Sequence, residues 1–143
     1  MNPLREKFGE IEEYCTRLAA VNYDRYKFYR PVSLTDIESW EQQHCAKLPE
    51  DYRNWLMLSD GFSCSAEDFL PLAEICPCPE PDYADYFILG HYGGDGSMLL
   101  TDKHGTFFKL DHSRGLTETT FETFLDKWVA MWLRNDMMDA GLF

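Results

Sequence analysis

The sequence predicts an α+β domain in which N-terminal helices pack against an antiparallel β-meander and a C-terminal helix closes the fold. Three observations carry this reading. Apolar residues recur at helical spacing at both ends of the chain. Between them lie three short apolar runs joined by glycine-containing turns, the pattern of a meander. A chain of 143 residues holds one sizeable core and has no room for two.

The first helix rests on Leu4, Phe8, Ile11, Cys15 and Leu18, which alternate by four and three and so lie along one face. Two heptads are short for a coiled-coil seam, and the stripe is read as packing on the domain's own core. Asn22 to Pro31 (NYDRYKFYRP) interleaves aromatic and basic residues, a mix that can stack nucleobases. Beside an acidic body the better reading is aromatic packing under a loop. A second helix opens at Ser33 or Thr35, each followed three residues later by an acid, the capping-box spacing. Leu34, Ile37 and Trp40, with Leu48 beyond the helix end, are expected to face inward.

The third helix has both ends written into Leu48 to Gly61, LPEDYRNWLMLSDG. Pro49 presets φ, Glu50 and Asp51 complement the positive end of the helix dipole, and Tyr52, Trp55 and Leu56 form the apolar stripe. Asp60-Gly61 is expected to stop it, with glycine taking the left-handed cap. Phe69 to Ile75 is a short apolar run broken by Pro71, and CPCPEPDYAD then resists both helix and central strand. Strands are predicted over Tyr86–His91, Met98–Thr101 and Thr106–Leu110, with Gly105 suited to a hairpin turn. The closing helix places Phe121, Phe124, Leu125, Trp128 and Trp132 on one stripe, capped by Thr119 or Thr120, and a frayed tail follows Arg134. Residues 1–33 form an N-terminal helix and connector, 34–134 the core, and 135–143 the tail.

Composition bounds the function. Hydrophobic residues make up 45% and aromatics 15%, which argues against disorder. No apolar run approaches the ~20 residues of a bilayer span. The opening MNPLREKFGEIEEYC is too acidic for a signal peptide. Five cysteines without framework spacing suit a reducing compartment, so a cytoplasmic protein is expected. The net charge of −12 is unevenly placed. Between Asn54 and Asp102 there is no Lys or Arg, against nine acids: Asp60, Glu67, Asp68, Glu74, Glu80, Asp82, Asp85, Asp95 and Asp102. Such a surface repels phosphate, which argues against nucleic acid and points to a cationic protein partner. The plain alternative is a charged surface that keeps the protein in solution.

Catalytic and metal constellations are weak. Cys76-Pro77-Cys78 lacks the paired spacing of structural zinc or of C-x-x-C redox motifs. Tyr92-Gly93-Gly94-Asp95-Gly96-Ser97 lacks the Lys and helix of a phosphate loop and reads as a hairpin connection. His91, Asp95, Asp102, Asp111 and His112 could gather at one end of the meander as a divalent or hydrolytic site, the basis of a small metal-dependent hydrolase as an alternative. No nucleophile motif is present. Neither catalytic residues, nor a metal, nor a cofactor is expected.

From Ile37 to Phe62, IESWEQQHCAKLPEDYRNWLMLSDGF resembles the signature of the SUKH superfamily, bacterial toxin-immunity proteins related to a fungal regulator of cell-wall assembly. The matching positions are Ile37, Trp40, Glu41, Leu48, Pro49, Tyr52, Trp55, Leu56 and the Asp60-Gly61 turn. The turn leading into Gly94–Asp102, the strand TFFKLDH and Thr120–Leu125 also resemble the family, so the likeness runs from Leu34 to about Leu133. It departs at the turn, where the family usually has Asn-Gly; the residues before Leu34 inherit nothing from it. The resemblance implies binding without catalysis: an immunity protein that neutralises a toxin domain stoichiometrically, or a regulatory scaffold on a housekeeping partner. It also implies that the signature is scaffold, so the partner surface is sought elsewhere. Glu67, Asp68, Glu74, Glu80, Asp82 and Asp85, with Tyr83 and Tyr86 as aromatic anchors, are the expected partner-facing patch, set against a basic, nuclease-like toxin.

Overall fold

The computed structural model describes residues 2–23, 25–64, 67–93 and 95–142. Gly94, in the glycine-rich turn, and Met1 and Phe143, at the two ends, lie outside the described residues.

Helix α1 (Arg5–Ala19) buries Ile11, Cys15 and Leu18 with Leu4 just before it, the stripe its sequence spacing draws. Helix α2 (Leu34–His44) begins where Ser33 accepts a 3.1 Å hydrogen bond from the Asp36 amide. Ile37 and Trp40 are buried, but Leu34, expected to face inward, is 45% exposed. As the first helical residue it points off the stripe set by Ile37 and Trp40. Helix α3 (Glu50–Leu56) is shorter than its sequence suggests. Met57 closes it in a right-handed conformation, and Gly61 lies beyond it in the turn into the sheet.

Among the described residues the sheet has eight strands, where the sequence suggests three. They are β1 (Tyr26–Lys27), β2 (Phe62–Cys64), β3 (Glu67–Phe69), β4 (Cys76–Pro77), β5 (Phe87–Tyr92), β6 (Ser97–Thr101), β7 (Phe107–Asp111) and β8 (Gly115–Thr119), all antiparallel. Their order is β1-β2-β3-β5-β6-β7-β8, with β4 beside β3 along the same edge of β5. The extra strands are two to five residues long, too short to show a period of two. Gly61 and Gly90 allow the chain to cross closely here. A methyl group on Gly61 would stand 2.6 Å from the Phe69 carbonyl oxygen, and one on Gly90 would stand 2.3 Å from that of Asp68.

Helix α4 (Phe121–Phe124) starts at the Thr120 cap and passes through a π turn (Leu125–Val129) into α5 (Ala130–Asp139). The expected frayed tail is therefore helical as far as Asp139, because Leu133 and Met137 are buried against α1. Phe121 sits at the core's centre, with ring centroids 5.1 Å from Tyr52, 5.7 Å from Trp55, 4.9 Å from Phe69 and 5.7 Å from Phe107.

Strand alternation then fixes the two faces. Phe107 lies under the helices, so Phe108 and Leu110 point to the opposite face with their cross-strand partners Leu100 and Met98. Residues 78–86 fold back over that face, held by the Cys78 amide donating to the Tyr86 carbonyl at 2.8 Å. Tyr86 meets Phe108 edge-on at 5.4 Å and Tyr83 at 6.0 Å. With helices on one side and this roof on the other, β6 is buried along its whole length.

Candidate protein-binding surface

The acidic stretch does not form one patch. The structure divides it between two places.

The first lies along β3 and the turn that follows. Glu67 and Asp68 are successive residues of β3, and Asp68 stands opposite His91 of β5 with Oδ1 and Nδ1 2.8 Å apart. This hydrogen bond holds the His91 imidazolium above the usual histidine range, and burial opposes it. Glu67 is raised by burial, with Arg25 opposing that shift. Asp60 accepts the Leu72 amide at 2.8 Å, which fixes the turn that carries exposed Glu74. Asp60, Asp68 and Glu74 line a cleft of about 330 Å³ with Tyr29 and Ser63, whose hydroxyls are 2.8 Å apart. At this end Glu67 and Asp68 have basic neighbours in Arg25 and His91.

The second place is the roof. Glu80, Asp82 and Asp85 are exposed, while Tyr83 and Tyr86 are half-buried against the core. Glu80, Asp82 and Tyr83 face the ends of the β5–β6 and β7–β8 hairpins across a cleft of about 250 Å³ that Met98, Asp111 and His112 also line. Ser97 holds the Asp95 carboxyl below the usual range, and Ser113 does the same for Asp111. Four ion pairs form among the described residues, and none involves Glu74, Glu80, Asp82 or Asp85.

The sequence marks Asp111 and His112 for hydrolytic chemistry and as part of the family-like strand TFFKLDH; their place beside the acidic roof follows from strand register, which sequence spacing does not reveal. That hydrolytic set is scattered. Asp95, Asp111 and His112 lie at one end of the meander, His91 is engaged by Asp68, and Asp102 sits in the β6–β7 turn at the opposite end, accepting the His104 and Thr106 amides at 2.9 Å each. Among the described residues, no three His, Cys, Asp or Glu side chains are grouped to hold a metal ion. Cys76 is exposed and Cys78 buried, so the two sulfurs face different surroundings.

The signature residues carry structural duties. Ile37, Trp40, Leu48, Tyr52, Trp55 and Leu56 are buried. The Tyr52 hydroxyl lies 2.6 Å from the Leu70 carbonyl oxygen and 3.0 Å from that of Leu89, bridging β3's end to β5. Glu41 accepts the Leu48 amide at 2.8 Å just ahead of Pro49. A model of the SMI1 / KNR4 family (SUKH-1) matches residues 31–127, well over half of the chain. The chain belongs to the SMI1 / KNR4 family. Its SUKH-1 match spans α2 through the first part of the π turn and leaves out α1, β1 and α5. SUKH domains commonly serve as toxin-immunity proteins. Comparison with curated proteins and with solved structures gave no match. Among the described residues, no helix is long and apolar enough to cross a membrane.

Proposed function

We propose that this SUKH-1 domain is a non-enzymatic immunity protein that neutralises a cationic toxin domain, such as a basic nuclease, by forming a stoichiometric complex in the cytoplasm. The supporting observation is the acidic roof. Glu80, Asp82 and Asp85 are exposed on a loop packed over the sheet face away from the helices, and none is neutralised by an ion pair among the described residues. Unpaired charges of one sign steer an oppositely charged partner and set its orientation, while a half-buried tyrosine such as Tyr83 supplies a rigid anchor. A toxin whose active centre binds phosphate offers the matching positive surface, and these carboxylates would occupy it in place of substrate. Glu67, Asp68 and Glu74 form a second, separate acidic site along β3 and its turn, where the field is weaker because Arg25 and His91 stand nearby.

Co-expression with the product of the adjacent gene, followed by affinity purification and a growth-protection assay, tests this reading. A one-to-one complex and restored growth are expected. A complex with a housekeeping protein would instead assign the regulatory-scaffold role, and neither complex nor protection would remove the reading.

A further inference from the structure

Strand β8 ends the sheet. It pairs with β7 at five register positions from Asp111↔Gly115 to Phe107↔Thr119 without a shift, and among the described residues no strand pairs with its other edge. Natural edge strands are usually guarded by Lys, Pro, a bulge or a covering segment. The β8 sequence GLTET has neither Lys nor Pro, and Thr117 and Glu118 are exposed. None of its outward amides and carbonyls pairs with another strand among the described residues.

Both ends of this edge open into acidic clefts. At the Gly115 end is the cleft of Glu80, Asp82 and Asp111. At the Thr119 end, Glu50, Asp51 and Glu118 line a second cleft of about 300 Å³. Neither lining includes a Lys or Arg.

We propose that β8 is a strand-addition site, where an extended segment of the cationic partner joins the sheet and sets basic side chains into the two clefts. This rests on the protein-binding reading above and specifies its mode. Main-chain pairing supplies affinity in such contacts and flanking side chains supply selectivity. At ~3.3 Å per residue, five strand residues separate the clefts by about 13 Å, so the partner's basic residues stand four to six positions apart. A second copy of this chain fits poorly, since β8 on β8 brings the acidic clefts at the ends of one edge against those of the other.

Amide NMR titration of the full chain with acetyl-Arg-Thr-Val-Thr-Val-Arg-amide tests the site without the toxin. Shifts centred on residues 115–119 are expected, with affinity at least tenfold weaker when the four central peptide nitrogens are methylated or when both Arg are replaced by Glu. Glu118→Lys is expected to weaken binding as well. Equal binding of the methylated peptide, shifts centred elsewhere, or no shift at millimolar peptide would overturn the proposal. A toxin complex that forms while the peptide fails would leave the protein-binding reading standing and remove β8 from it. Peptide binding without any toxin complex would do the reverse.

Discussion

Glu41 and Arg53 meet with Oε2 of the one 3.6 Å from Nε of the other, and the same oxygen accepts the Leu48 amide at 2.8 Å. One carboxylate thus ties α2 to the entry and to the body of α3, and the Arg53 Nε it faces is buried without a hydrogen bond. Glu41→Ala leaves a buried amide and a half-buried guanidinium uncompensated, an expected loss of about 2 kcal/mol. Glu41→Gln keeps an acceptor and is expected to lose about half as much. Urea denaturation measures both, and a loss below about 0.5 kcal/mol for the alanine variant contradicts this role.

Helix legibility in this chain tracked element length. The α1 stripe and the Phe121–Trp132 stripe each span several turns, so period dominates and both helices begin where the spacing places them, the closing one running on past Arg134 to Asp139. The π turn inside the closing helix has no such signal. Strands β1 and β3 are set by cross-strand partners distant in sequence, as in Tyr26↔Cys64 and Asp68↔His91, while β2 and β8 are too short to show a period of two. Asp60-Gly61 read as a helix stop because the pair caps helices well; here it serves the crossing of β2 and β3, with Gly61 at φ +94°. For the binding surface, composition located the acidic loop, while its division into a partly compensated end and an uncompensated end depends on Asp68–His91 pairing across strands.

Stability is expected to depend on pH through that pair. The Asp68 hydrogen bond raises the His91 pKa above its unfolded value, so its contribution is fully present below about pH 6.5 and is lost as pH rises through the folded value. His91→Gln should flatten this segment of the profile. Thermal melts of both proteins between about pH 5 and 8 measure it, and an unchanged slope in the variant would exclude the pair as the cause.

Gly90→Ala introduces a methyl group 2.3 Å from the Asp68 carbonyl, and that neighbour is backbone that cannot swing away. Parting β3 from β5 is expected to cost about 1–3 kcal/mol and to shift His91 as well. Near-wild-type urea stability would show that the two strands have slack.

Cys45 takes the left-handed conformation, φ 51°, at the C-cap of α2, and its side chain is exposed. Glycine adopts that conformation without a Cβ penalty. Cys45→Gly is therefore expected to stabilise by about 0.5–1 kcal/mol, read as a higher denaturation midpoint at unchanged m-value. A lower midpoint would mean that the thiol contributes more than the backbone conformation costs.

The central claim, recognition of a cationic partner by the uncompensated carboxylates of the roof, is tested most directly by the association rate of Glu80→Lys/Asp82→Lys/Asp85→Lys with the adjacent gene's toxin domain at two ionic strengths. The account expects association at low salt to slow by at least tenfold, the difference from wild type to narrow as salt rises, and the melting temperature to stay unchanged. Equal association rates at low salt, with the variant folded, would contradict it.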